Sequence, residues 1–192
     1  MVKSALVVVL SAALLGASAR VRQVPASPLR MTATSLDGFV LCDSLSHVSR
    51  AFPSARDTVF VSEQDQTKSP GKIVAAQAGA HVVFRTWQDR RRVWQISTNS
   101  PGVRTSSGLH VGSTIGDALG TGQRLRFDYP EGLLVITLVS DGVMFTVDDS
   151  SAARFYRRQF DDQEHPLRVL DRAAKIKELI IGRVCPRGRA AT

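Results

Sequence analysis

The feature that most constrains the fold is a pattern that occurs twice along the chain. Residues 38–48 align without gaps on residues 108–118, and each position keeps its physical role although few residues are identical. In both segments a glycine and at least two apolar residues precede a residue that can cap a helix, Asp43 or Ser113. The pattern predicts a short helix after each cap, and Gly120 is placed to end the second helix in a left-handed conformation.

Strand-like runs follow each predicted helix. They cover 58–62, 72–78, 81–87 and 92–98 in the first unit, and 124–129, 133–139, 143–148 and 175–181 in the second. Over 124–129 apolar and charged residues alternate, which is typical of a sheet with one face on a core and one in water. The prediction is an α+β fold of two pseudo-repeats, each a short helix plus about four antiparallel strands, with one helix-covered sheet face.

The same pattern divides the chain into segments. We expect a signal peptide over 1–19, a flexible lead-in over 20–34, a first α+β repeat over 35–103, a second over 104–185 and a basic tail over 186–192. The second unit carries an insertion over 150–174 between its last two strands. An insertion of this size is a candidate binding element or a surface flap.

The first residues have the parts of a secretory signal. Lys3 precedes an uncharged apolar run over 5–15, and residues 17–19 are Ala-Ser-Ala. These small residues predict cleavage between Ala19 and Arg20. The apolar run is shorter than the roughly 20 residues that cross a bilayer, so no membrane span is expected. The mature protein is predicted to be periplasmic or extracellular.

The chain is basic, with a formal net charge of +8, and loss of the signal peptide leaves +7 because only Lys3 is charged there. Hydrophobic residues make up 43% of the sequence, so wholesale disorder is not expected. An exported basic protein is drawn to anionic surfaces. The predicted partner is an acidic protein or an anionic envelope component, and not nucleic acid. The alternative is that the charge only maintains solubility.

The two cysteines predict a disulfide. An even number of cysteines in an exported chain favours a bridge, here between Cys42 and Cys185. Cys42 precedes the first predicted helix and Cys185 follows the last predicted strand, so the bond would connect the two units. No C-x-x-C motif is present, so a redox-active dithiol is not predicted. The alternative is a pair of buried free thiols.

The segment 109–120, Leu-His-Val-Gly-Ser-Thr-Ile-Gly-Asp-Ala-Leu-Gly, resembles the helix start of small exported α+β proteins of the BamE and β-lactamase-inhibitor-protein type. Those families use an apolar-glycine-Ser/Thr step, an acidic residue and a closing Leu-Gly. The first unit keeps the pattern but has Cys42 at the glycine position. The resemblance implies a non-enzymatic, protein-contacting role, and no inhibitory contact residue carries over.

The candidates for a catalytic base are four histidines: His47, His81, His110 and His165. None stands at a metal-ligand spacing, so neither a metal nor a cofactor is expected. Asp43, Ser44 and His47 are neighbours on one helix, which favours a cap beside a solvent-facing histidine over a catalytic triad. A small exported hydrolase with His47 or His110 in its site stays the rival hypothesis, as does a structural envelope protein.

One surface cluster combines cations with large aromatic rings. It comprises Trp87, Arg90, Arg91, Arg92 and Trp94, around a predicted hairpin turn. Arginine stacks on indole while its guanidinium binds carboxylate or phosphate. These five residues are the predicted binding site of a non-enzymatic interaction protein. The alternative is a pair of sheet-face tryptophans beside a solvated charged turn.

Overall fold

The computed structural model of this protein describes residues 28–61, 67–76, 79–86, 92–128, 134–148 and 171–185. They form two helices, α1 (Leu45–Ala51) and α2 (Ile115–Gly120). The strands that precede or separate the helices are β1 (Leu29–Met31), β2 (Ser35–Leu36), β3 (Phe39–Val40), β4 (Arg56–Val61), β5 (Lys68–Ala75), β6 (His81–Thr86), β7 (Val93–Thr98) and β8 (Val103–Thr105). Those that follow are β9 (Leu125–Asp128), β10 (Val135–Leu138), β11 (Val143–Val147) and β12 (Ile176–Gly182).

The strands form two sheets. The large sheet has eight strands in the order β4-β5-β6-β7-β12-β11-β10-β9, all antiparallel. The small sheet has the order β3-β2-β1-β8, with β1 and β8 parallel. The strands β7 and β12 meet at the middle of the large sheet, so residues far apart in sequence become neighbours there.

The predicted α+β fold with a helix-covered sheet is wrong, because the protein is β-rich. Each helix has only six or seven residues, which makes it about 10 Å long. Eight strands at a spacing of about 4.8 Å span about 34 Å, so two such helices are too small to cover a face of the large sheet. The eight predicted strand runs are confirmed as β4 to β7 and β9 to β12, but the small sheet was not predicted.

Two neighbouring strands of the large sheet, β10 and β11, are buried on both faces. All four residues of β10 are buried, and so are four of the five in β11. The expectation of one face in water is therefore wrong for these strands, whose near-continuous apolar runs are typical of doubly buried strands. It describes the edge strand β9 better, where Arg126 is exposed and Phe127 is half-buried.

The hydrophobic core lies on one face of the large sheet, which we call the inner face. Phe84 of β6 contacts Phe39 of β3 and Phe52 at the end of α1, with ring centroids 5.2 and 5.3 Å away. This cluster joins the small sheet and α1 to the large sheet. On the opposite face, the outer face, Val83 and Ile180 are buried apart from the core cluster.

Both helix caps lie one residue after the predicted positions. Ser44 accepts a hydrogen bond from the His47 N–H, and Thr114 forms a capping box with Asp117. Gly120 is the last residue of α2, and the left-handed conformation belongs instead to Gly122, with φ of +71°. Adjacent polar residues all suit an N-cap chemically, so the sequence alone does not separate them.

Several predicted segments lie outside the described residues. They are the signal peptide over 1–19, the tail over 186–192 and the insertion over 150–174 as far as residue 170. The end of the expected lead-in 20–34 forms β1, whose Met31 is fully buried. No helix in the described ranges is long and apolar enough to cross a membrane.

Candidate functional site

The disulfide between Cys42 and Cys185 is confirmed, with the two Cα atoms 5.4 Å apart. The N–H of Cys42 also donates to the Val93 carbonyl at 2.7 Å, and the Val93 N–H donates to the Asp43 carbonyl at 2.8 Å. The loop before α1, the start of β7 and the residues after β12 are therefore fixed to one another. The described part of the predicted binding site lies at this junction.

Only two of the five predicted binding residues belong to the described part of the chain. Arg92 and Trp94 are half-buried at the start of β7, whereas Trp87, Arg90 and Arg91 lie outside the described residues. The Trp94 carbonyl accepts a hydrogen bond from the Arg183 N–H at 2.8 Å. The pairing of β7 with β12 thus brings the backbone of a second arginine, Arg183, next to Trp94.

A break in the strand register positions Trp94. Arg85 pairs with Gln95 and the next residue of β6, Thr86, pairs with Val93, so Trp94 is the extra residue on β7. A bulge of this kind redirects side chains and is common beside functional sites. Trp94 accordingly lies near Gly182: its Cζ3 atom is 3.9 Å from the point that a Cβ on Gly182 would occupy.

Apolar side chains border Gly182 next to Trp94. Met144 Cε lies 3.8 Å from the same point over Gly182, and Gly182 itself is exposed. Gln95 of β7 pairs with Gly182 of β12, so both residues belong to one row of the sheet. Trp94 and Met144 therefore approach each other over the position that lacks a side chain.

Arg85 of β6 is the next residue of this row on the outer face. Its guanidinium carbon lies 4.6 Å from the centroid of the Phe60 ring, a cation–π arrangement. Its Nε atom is buried and has no hydrogen-bond partner among the described residues. The Phe60 ring occupies the space that a side chain at Gly71 would need. Arg85 was not predicted as a site residue because it lies within a strand and not in the arginine-rich turn, although an arginine directly after Val82, Val83 and Phe84 is itself a signal.

We call the residues of this row and those that border it the junction surface: Arg85, Trp94, Gln95, Met144, Gly182 and Arg183. Two cations elsewhere among the described residues are neutralised by carboxylates. Lys72 binds Asp57 at 2.7 Å, and Arg126 binds Asp128 at 3.0 Å. Within the same ranges Arg85 forms no salt bridge. The junction surface is therefore a cationic and aromatic area suited to an anion.

The described histidines form no catalytic triad. His47 Nδ1 lies 3.0 Å from Asp43 Oδ2, and both side chains are substantially exposed. His110 Nδ1 lies 2.9 Å from Ser113 Oγ and 3.3 Å from an Arg104 terminal nitrogen. In the ranges that the structure covers, no imidazole hydrogen-bonds to both a carboxylate and a hydroxyl nucleophile. His165 lies outside those ranges.

Two carboxylates have perturbed acidity for structural reasons. Hydrogen bonds from the backbone and side chain of Thr114 lower the pKa of Asp117 in the capping box. Burial raises the pKa of Asp141, but hydrogen bonds, chiefly from Ser107 and Gln123, outweigh it and hold the pKa below its ordinary value. The described residues contain no group of three side chains placed to hold a metal ion.

Comparisons with known proteins identify the fold and no activity. No family model matches the chain, and no curated protein matches it either. A solved structure of the uncharacterized protein YfeY from Escherichia coli is similar, with a TM-score of 0.52 and 12% sequence identity. The match covers 80% of this chain and 99% of that chain. At this identity the similarity concerns the fold alone. The resemblance to the BamE and β-lactamase-inhibitor-protein type stays a prediction.

Proposed function

We propose that this chain is an exported, non-enzymatic binding protein whose junction surface contacts an anionic partner. The observation that supports the proposal is the placement of Arg85, over the Phe60 ring and without a salt bridge among the described residues, in one row with Gln95 and Gly182. Arginine, tryptophan and methionine are enriched where proteins bind one another. Such a surface supports recognition and offers no catalytic groups.

Export is supported by two independent features. The bond between Cys42 and Cys185 belongs to the oxidising compartments in which disulfides persist. The sequence of residues 1–19 fits a signal peptide. We expect protein recovered from the exported fraction to begin at Arg20, and its two cysteines to react with an alkylating reagent only after reduction.

The binding proposal is tested with two variants that remove the same charge. Arg85→Ser with Arg183→Ser removes the two cations of the junction surface, and Arg30→Ser with Arg124→Ser removes two exposed cations elsewhere. Each protein is immobilised and exposed to an envelope extract. The first variant is expected to lose most of the partner that the wild type retains, whereas the control keeps it. Equal retention by both variants contradicts the proposal.

A further inference from the structure

We propose that β4, the edge strand Arg56–Val61 of the large sheet, pairs with β4 of a second copy of this chain, in an antiparallel register centred on Val59. The contact makes the protein a twofold dimer in which two eight-stranded sheets become continuous. It lies at an edge of the sheet and does not depend on the binding role proposed for the junction surface.

The direction of the backbone groups of Val59 follows from the neighbouring strand β5. The Pro70 carbonyl accepts a hydrogen bond from the Thr86 hydroxyl at 2.7 Å, so it points toward β6 and away from β4. Further along the same alternation, the Ala76 N–H donates to the Ala80 carbonyl, again away from β4. Val59 stands opposite Pro70 in the pairing of β4 with β5. Opposed residues of an antiparallel pair bond each other through both backbone groups or through neither, so Val59 directs its N–H and C=O to the open edge.

The same alternation assigns the rest of β4. Asp57 and Val61 direct their backbone groups outward as Val59 does, because the pairing with β5 continues without a bulge. In the part of the chain that the structure describes, no hydrogen bond satisfies these outward groups. The edge therefore offers an evenly spaced row of donors and acceptors, which another extended strand satisfies.

A second copy of β4 fits this row because the outward residues are arranged symmetrically about Val59. When Val59 stands opposite the partner's Val59, Asp57 stands opposite the partner's Val61, and each outward N–H and C=O of both strands has a partner. This register forms about six main-chain hydrogen bonds. Like charges do not oppose each other in it, and the Asp57 carboxylate is already paired with Lys72 at 2.7 Å.

The side chains of the edge favour the same contact. Val59 and Val61 are 59% and 50% exposed, and they project from one face of β4 because they are two residues apart. Pairing about Val59 places the valines of both copies on one diagonal, where β-branched neighbours stabilise antiparallel strands. The segment 58–61 contains no charge, proline or bulge, which are the features that protect an edge strand from pairing.

The opposite edge of the large sheet is protected, which favours a closed dimer over a growing filament. The edge strand β9 has only four residues, and its Arg126 binds Asp128 at 3.0 Å. Charged side chains on a short edge strand oppose pairing, so β4 is expected to pair with its own copy in a contact that closes on itself. The six residues of β4 span about 20 Å. The interface is therefore small, and the dimer should dissociate on dilution.

The experiment is sedimentation equilibrium of the disulfide-bonded protein over a range of concentrations. The wild type is expected to show a reversible equilibrium between monomer and dimer. Val59→Lys should raise the dissociation constant at least about tenfold, because two ammonium groups would oppose each other across the twofold axis. Val139→Lys is the matched control, since Val139 is 47% exposed and lies outside β4, and it should change the constant by less than about threefold.

A second variant, Val59→Cys, tests the register and decides the matter if Val59→Lys does not fold. Under mild oxidation it should form a covalent dimer, because residues opposed in an antiparallel pair have Cα atoms about 5.5 Å apart, within the range of a disulfide. Val139→Cys should stay monomeric under the same conditions. A monomer at every concentration overturns the inference, as do equal effects of the substitutions at positions 59 and 139. If a monomeric chain instead binds a peptide with the sequence of residues 56–61, the edge accepts a strand of another protein and the second copy is rejected.

Discussion

Cys42 and Gly112 share a left-handed backbone conformation, with φ of +77° and +96°, three residues before their helices. Their environments also correspond. The Cys42 N–H donates to the Val93 carbonyl at 2.7 Å, and the Gly112 N–H donates to the Ile176 carbonyl at 2.9 Å. Glycine adopts this conformation at no steric cost, whereas a residue with a Cβ does not. The disulfide to Cys185 thus holds Cys42 in a conformation that the other helix start reaches with glycine.

This relationship predicts unequal stability for two variants that lack the disulfide. Cys42→Ala with Cys185→Ala should lose roughly 3–5 kcal/mol of unfolding free energy, because the bond closes a long loop. Cys42→Gly with Cys185→Ala should lose about 1 kcal/mol less, because glycine accepts the left-handed conformation. Urea unfolding of both proteins measures the difference. If the alanine variant is as stable as the glycine variant, the conformation at residue 42 does not limit stability.

A second prediction concerns a buried hydroxyl on the outer face. Thr137 is 8% exposed, and its Oγ1 has no hydrogen-bond partner in the part of the chain that the structure describes. Thr137→Val should therefore stabilise the protein by about 1 kcal/mol, because an unpaired buried polar group is replaced by a methyl of the same shape. Thermal unfolding under identical conditions measures this as a rise in Tm.

Thr98→Val is the matched control for this prediction. Thr98 is fully buried, but its hydroxyl donates to the His81 carbonyl at 2.8 Å and accepts from the Ser100 N–H at 3.0 Å. The same substitution should destabilise here by about 1–3 kcal/mol, because it leaves these groups unpaired. A loss of stability in both variants would show that the Thr137 hydroxyl is satisfied in solution.

A third prediction concerns the glycine beneath Phe60. A Cβ on Gly71 would meet both the Phe84 carbonyl oxygen and the Phe60 ring. Gly71→Ala should destabilise by about 2 kcal/mol or more and displace the ring that orients Arg85. Gly120→Ala, at the exposed end of α2 with nothing near the added atom, should change stability by less than about 1 kcal/mol. Equal effects in chemical denaturation would contradict the close packing at Gly71.

A fourth prediction is a dependence on pH. Asp141 accepts hydrogen bonds from the Ser107 N–H at 3.1 Å and hydroxyl at 2.6 Å, and its pKa lies below the ordinary value of 3.8. A lowered pKa in the folded state stabilises the protein at pH values above the ordinary pKa, and this contribution is lost as the pH falls through the folded-state value. Asp141→Asn should cost about 1 kcal/mol at neutral pH, since the partly exposed group is screened by water.

The measurement for Asp141 is the unfolding free energy of wild type and variant from neutral pH down into the acid range. The two curves should approach each other below the ordinary pKa and converge below the lower folded-state pKa, where the carboxyl of the folded wild type becomes protonated. Asp117→Asn is the control for a capping carboxylate on the surface. A constant difference between wild type and Asp141→Asn at every pH would show that the charge of Asp141 is not involved.

The sequence predicted long elements and missed short ones. Each run of the large sheet has at least four residues, which is enough for alternation or an apolar run to be visible. The strands of the small sheet have two or three residues, for instance Ser35–Leu36, and such segments have no measurable period. Their formation depends on tertiary pairing, as between Leu29 and Val103, which the sequence alone does not display.

The candidate site was predicted in part. The sequence indicated Arg92 and Trp94 from their residue types, but not Arg85 or Met144, which reach the same place through the register of four strands. The bulge at Trp94 and the meeting of β7 with β12 determine this grouping. Neither follows from local periodicity, because both depend on which strands become neighbours.

Site-specific photo-crosslinking in cells that export the protein tests the junction surface most directly. A photoreactive residue replaces Gln95 in one variant and the exposed Arg30 of β1 in another. A crosslinked adduct with an acidic protein is expected from position 95 and not from position 30, and adding Arg85→Gln should remove it. Adducts from position 30 alone, or an adduct at position 95 that survives Arg85→Gln unchanged, would contradict the account.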